Sequence, residues 1–152
     1  MCALQNRESD SCGLGLEIQV LNRQRKYRVS AGELVDFARR LAPLVVRVAR
    51  EAMPEEILVV LVSDRKIAEI HQQFMAIAGA TDVITFQHGE IVVSVETAAR
   101  QATEYGTSLG RELRLYLAHG LLHLAGYEDH SEKGFREMSK LQVELVDRVS
   151  RV

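Results

Sequence analysis

Apolar and polar residues alternate from Leu16 to Leu21 (LEIQVL) and again from Lys26 to Val29, the period of half-buried strands, with Asn22-Arg23-Gln24-Arg25 as a turn between them. The first run predicts a strand and the second its extension. The period then changes. Ser30 followed three residues later by Glu33 makes a capping box, and Leu34, Val35, Phe37, Ala38, Leu41, Leu44, Val45 and Val48 continue at helical spacing. This predicts a first helix that kinks or splits near Ala42, because Pro43 lacks a backbone donor, and that ends near Met53-Pro54. Ile57 to Val62 (ILVVLV) is uninterrupted and apolar, as a strand buried on both faces would be.

Ser63 stands at an N-cap position before a short amphipathic helix carrying Ile67, Ile70, Phe74 and Met75, which runs into the Ala78-Gly79-Ala80 loop. Val83–Phe86 and Ile91–Val95 read as strands joined by Gln87-His88-Gly89-Glu90, a connection short enough for an antiparallel hairpin. A helix from about Glu96 to Tyr105, closed by Gly106, follows. Another starts near Leu109 and stops at Gly126, and Ser131 caps a last one with Phe135, Met138, Leu141, Leu145 and Val149 as its apolar stripe. The expected fold is α+β: a single domain in which one small mixed β-sheet of about four strands packs with about five helices. Residues 1–15 are expected to be a flexible leader and 16–152 the domain.

Composition narrows the class. The chain has 152 residues, 47% hydrophobic, enough for one core. Its first fifteen residues lack the apolar segment of a secretory signal, and no run reaches the ~18 apolar residues of a membrane span, so a cytoplasmic location is expected, with no membrane partner. Cys2 and Cys12 fall in the polar leader and read as incidental thiols. The net charge of −2 hides local basic clusters. Arg23, Arg25, Lys26 and Arg28 crowd one segment, and Arg39, Arg47 and Arg50 fall within about one quadrant of the first helix, a candidate RNA-binding face set against the plainer reading of a solvated helix side. Aromatic interleaving is sparse in these clusters, so they offer no stacking platform for bases.

Three of the five histidines stand in His119-Gly-Leu-Leu-His123-Leu-Ala-Gly126-Tyr127-Glu128-Asp129-His130. Two histidines four apart share one helix face, and a reversal at Gly126 returns a third imidazole toward them, a donor set suited to one Zn(2+) per chain. Three protein ligands leave a position open for water, as a hydrolase requires. The spacing is that of the H-E-x-x-H helix of zinc metalloproteases, except that Gly120 occupies the place of their glutamate base. Asp82, Glu128 and Asp129 are the carboxylates nearest in pattern, and spacing alone does not choose among them.

The stretch HGLLHLAGYEDH closely resembles the H-G-x-L-H-L-x-G-Y-D-H signature of the YbeY family of metal-dependent endoribonucleases. Thr81-Asp82-Val83-Ile84-Thr85-Phe86 is similar to that family's T-D-V-L-S-F segment, Gly89–Ser94 to its G-D-I-V-I strand, and Arg111-Glu112-Leu113 precedes the histidines as it does there; the similarity covers about residues 16 to 150. The resemblance implies a cytoplasmic, zinc-dependent enzyme cutting single-stranded RNA in small-subunit ribosomal RNA maturation and ribosome quality control. Its implied partners are ribosomal RNA and the small ribosomal subunit, with no DNA. Carried over by position, His119, His123 and His130 hold the metal, and Asp82 and Glu128 are the candidate catalytic carboxylates.

Two departures qualify the match. One extra acidic residue separates Tyr127 from His130, giving H-x(3)-H-x(6)-H where the family usually has x(5), so Asp129 is the alternative third ligand by strict count. The segment before Thr81 carries His71 and Met75 where the family commonly has an Asn and an arginine thought to face the substrate phosphate. His71 and His88 read more simply as surface residues than as ligands, Ser94 as a helix cap. The rival readings are a catalytically weak zinc-binding ribosome-assembly factor and a metal-dependent hydrolase of another substrate.

Overall fold

A computed structural model describes residues 16–150, so the leader with Cys2 and Cys12 lies outside the described residues. The elements run β1 (Glu17–Asn22), α1 (Ala31–Val48), β2 (Glu56–Val62), α2 (Asp64–Met75), β3 (Val83–Phe86), β4 (Glu90–Ser94), α3 (Val95–Tyr105), α4 (Leu109–Leu124) and α5 (Glu132–Ser150). The strands form one sheet in the order β1-β2-β4-β3. β1, β2 and β4 are parallel, and the hairpin partner β3 runs antiparallel at the edge, pairing Thr85 with Ile91 and Phe86 with Glu90. This is the expected mixed α+β domain. No helix among the described residues is long and apolar enough to cross a membrane.

The alternation along the strands divides the core. Ile18, Val20, Ile57, Val59, Leu61, Ile91 and Val93 face one way and join α1, α4 and α5 in the main core. Val62, Ile84 and Val92 face the other way and meet Ile67 of α2. Serines cap each of the five helices through their hydroxyls, Ser30 to Glu33, Ser63 to Lys66, Ser94 to Thr97, Ser108 to Arg111 and Ser131 to Gly134, each accepting at 2.9–3.2 Å.

Four expectations change. Lys26–Val29 is not a strand, because the buried side chain of Gln24 donates to the Tyr27 carbonyl and accepts from the Tyr27 amide, turning the chain away from the sheet. α1 continues through Pro43 without splitting, held by the buried Leu41, Ala42 and Val45 around it. It ends at Val48, not near Met53, because the Arg50 and Glu51 amides leave the helical ladder to donate to the Ala125 carbonyl at 2.8 and 3.1 Å. Arg50 therefore no longer shares a helical quadrant with Arg39 and Arg47. Phe135 stands outside the apolar stripe of α5, 57% exposed.

Candidate metal centre

α4 lies across the main-core face of the sheet, and Gly120 lets it approach. A Cβ there would fall 2.7 Å from Cγ2 and 2.9 Å from Cδ1 of Ile91, itself fully buried in β4. The glycine in the place of a metalloprotease base is thus a packing residue. His119 and His123 stand to one side of this contact, each side chain about one-fifth exposed.

After Leu124 the chain reverses. Gly126 takes φ +98°, a conformation that disfavours any side chain, and a Cβ there would crowd Glu51 and Arg50. The reversal is fastened by the Tyr127 hydroxyl, which donates to the Val48 carbonyl at 2.7 Å, and by the Arg50 guanidinium, 4.1 Å above the Tyr127 ring and ion-paired with Glu137. Glu128 then accepts from the His130 amide at 2.6 Å and from the Ser131 amide and hydroxyl at 3.1 and 2.8 Å. The next turn brings Asp129 back over the histidines.

Three donor atoms converge. The Nε2 atoms of His119 and His123 lie 3.0 Å apart, and Oδ2 of Asp129 is 3.4 and 3.6 Å from them. A zinc tetrahedron with bonds of 2.0–2.1 Å has edges of about 3.3 Å, so the spacing fits the group. The tautomers fit as well. Nδ1 of His123 faces the Tyr127 carbonyl at 3.1 Å and Nδ1 of His119 faces Oε1 of Gln142 at 2.9 Å. Both partners accept, so each neutral ring carries its proton on Nδ1 and turns a bare Nε2 lone pair inward. Burial, and then the neighbouring His119, hold the His123 imidazole below its ordinary pKa against the pull of Asp129, which favours the neutral ligand form. Two lone pairs and a carboxylate oxygen facing one another call for a cation.

The described residues contain this His119, His123 and Asp129 group as a set able to hold a metal ion. His130, the sequence's preferred third ligand, is exposed and stands outside the group, its amide bound to Glu128. Glu128, read as catalytic, is fully exposed and braces Ser131, the cap of α5; hydrogen bonds from Ser131 and His130 hold its carboxyl below the usual range. Asp82, the other candidate, is exposed and accepts from the Val83 amide at 2.8 Å and from the Thr81 hydroxyl at 3.3 Å. Arg39 and Arg47 are exposed on α1, and Arg50 is engaged with Tyr127 and Glu137. His71 turns Nδ1 to the Gly79 carbonyl at 3.0 Å, and His88 pairs with Glu90 at 3.3 Å. Ser94 caps α3, and its hydroxyl donates to Asp64 at 2.6 Å.

Gln142 is the site residue that the sequence reading missed. Its signal was present: a polar side chain four residues after Met138 and three before Leu145, inside the stripe that packs α5 on α4. The Tyr127 carbonyl, being backbone, left no signal.

A four-stranded mixed sheet with a His-His-Asp group at the C-terminal end of α4 defines a small α+β protein with a site able to hold a metal ion. The family model described as Endoribonuclease YbeY matches residues 19–150. The chain belongs to that family. Among curated proteins named Endoribonuclease YbeY, that of Moorella thermoacetica is 32% identical over 84% of this chain and 93% of its own length. Those of an Anaeromyxobacter species and Myxococcus xanthus are 38% and 34% identical over 59% and 78% of this chain. The matches span about half the length of these last two relatives, 52% and 46%. The solution structure of a Thermotoga maritima protein superimposes with a TM-score of 0.62 at 28% identity, covering 88% of this chain and 89% of that one.

Proposed function

We propose that this protein is a zinc-dependent endoribonuclease that cuts single-stranded RNA in small-subunit ribosomal RNA maturation and ribosome quality control, within one domain spanning residues 16–152. Family membership supports the reaction class, and the inward convergence of His119 Nε2, His123 Nε2 and Asp129 Oδ2 is the single observation that carries the chemistry. These three residues would hold the metal, which supplies Lewis-acid chemistry to a phosphodiester and acidifies water. Gln142 and the Tyr127 carbonyl keep both rings in the ligating tautomer, and the Gly126 reversal holds Asp129 over them. Asp82 and Glu128 are the proposed catalytic carboxylates, Asp82 accepting from the Val83 amide through Oδ1 alone and Glu128 engaged at Ser131 through both oxygens.

The one-quarter exposure of the donors leaves a side of the centre open, which favours catalysis over a closed structural site. The test is cleavage of a labelled single-stranded ribosomal RNA fragment by metal-stripped and zinc-reloaded protein, beside His123→Ala, with metal content measured on the same samples. Cleavage that returns with zinc and is absent from the variant is expected. Stoichiometric zinc without cleavage would turn the assignment to a zinc-binding assembly factor.

A further inference from the structure

The basic clusters carry few aromatic residues, but the fold assembles an aromatic row from elsewhere. Phe74, in the last turn of α2, meets Phe86 of β3 edge to face, with ring centroids 5.4 Å apart. The His88 imidazole stacks on Phe86 at 5.8 Å and 28°. Its ends are open to solvent, Phe74 being 61% exposed and His88 exposed, while Phe86 between them is half-buried against the α2-side core; Met75 and Ile77, next along the chain from Phe74, are 43% and 50% exposed. A soluble domain rarely leaves adjoining large apolar side chains uncovered without a binding use.

The row is tied to the helix of the metal centre through the β3–β4 hairpin. β3 is the edge strand, and Phe86 pairs with Glu90, the residue before Ile91, whose side chain touches Gly120 beside His119. Phe86 faces the α2 side of the sheet and Ile91 the α4 side. Row and donors therefore lie toward opposite faces of the sheet, with β3 as the edge strand on that side.

We propose that Phe74, Phe86 and His88 form a base-stacking platform for the RNA strand, which crosses the β3 edge to present its backbone to the His119–His123–Asp129 centre. This rests on the endoribonuclease reading and adds how the substrate is gripped. Aromatic faces hold any base, which suits a strand bound with little sequence preference. Ionic grip is weak on this side. Met75 is apolar, and Arg65 and Lys66, the cations of α2, both lie against Glu69 at 3.8 and 3.6 Å. Binding by stacking in place of phosphate pairing leaves a mark, a shallow dependence on salt.

The test uses the full-length protein stripped of metal, so that the strand stays intact, and single-stranded oligoribonucleotides carrying 2-aminopurine at successive positions. Binding should quench the probe at one or more positions. The slope of log affinity against log salt should be about −1, equivalent to one or two phosphate contacts. Phe74→Leu, which keeps an apolar side chain but removes the ring, should abolish the quench and weaken binding ~10-fold, and Phe74→Tyr should restore both. Wild-type binding without quench, or equal affinity of Phe74→Leu, would overturn the platform and leave the endoribonuclease reading standing. No binding by wild type at all would fail that reading and the platform with it. Self-association of the wild type that Phe74→Leu abolishes, with RNA affinity unchanged, would make the row a protein interface and overturn the proposal.

Discussion

Nδ1 of His123 faces the carbonyl oxygen of Tyr127 at 3.1 Å. A carbonyl can only accept, so this contact puts the imidazole proton on Nδ1 and turns Nε2 toward His119 and Asp129. Because the partner is backbone, the ring's orientation depends on the path of the chain through Gly126. Substitution at Gly126 should therefore act on metal binding as well as on folding. Gly126→Ala must hold a non-glycine residue at φ +98° against Glu51, and we expect it to lower stability by about 1–3 kcal/mol and to weaken zinc binding. Urea unfolding with a parallel zinc titration measures both, and full zinc affinity in a folded variant would separate ring orientation from the reversal.

His119 depends on a side chain in the same way. Gln142→Leu leaves the α5 stripe apolar but removes the acceptor for His119 Nδ1–H. Losing such an outer partner typically costs 10–100-fold in metal affinity. Competition with a chromophoric chelator should show that loss with little change in unfolding midpoint. An unchanged affinity would make Gln142 a packing residue alone.

Gly120 tests the approach of α4 to the sheet. In Gly120→Ala the new methyl group would collide with Ile91 Cγ2 and Cδ1, and overpacking of this kind costs about 1–3 kcal/mol. Ile91→Val removes Cδ1, one of the atoms in the way. The double variant should recover part of the loss, giving a favourable coupling in a double-mutant cycle read by urea denaturation. Strict additivity would place the cost elsewhere.

Much of this architecture was legible because it is local. Serine caps at Ser30, Ser63 and Ser94, the His88-Gly89 turn and the alternation in β1 are written within a few residues of where they act. What escaped was decided at a distance. The end of α1 is set by the Ala125 carbonyl, which captures the Arg50 and Glu51 amides from the other half of the chain. The third donor is set by Glu128, whose grip on the His130 and Ser131 amides turns Asp129 inward and leaves His130 outside. The aromatic row joins α2 to a hairpin, so no window along the sequence displays it.

Asp64 links the first turn of α2 to α3 and should govern acid stability. Burial pushes its carboxyl up, but hydrogen bonds from Arg100, Ser94 and Thr97 outweigh this and hold it below its ordinary value. A carboxyl lowered by folding stabilises the native state above its unfolded pKa, near 4, and that contribution is lost as pH falls through the lower native value. The melting temperature of wild type should therefore fall on acidification below about pH 4. Asp64→Asn should be less stable at neutral pH and should show a flatter acid limb. Parallel acid limbs in the two proteins would mean that other carboxylates carry the effect.

The choice between Asp129 and His130 is decided by which atoms reach the donor hole. Asp129 Oδ2 stands 3.4 Å from His119 Nε2, whereas His130 is exposed and its amide is committed to Glu128. Asp129→Ala removes an oxygen from a three-donor set and should cost at least tenfold in zinc affinity, while His130→Ala should cost little. Cobalt(II) adds a second readout, since visible absorption reports the ligands directly. The spectrum should change in Asp129→Ala and persist in His130→Ala. The opposite pattern would mean that the loop repacks around the ion and draws His130 in, completing the three-imidazole set that the sequence motif implies.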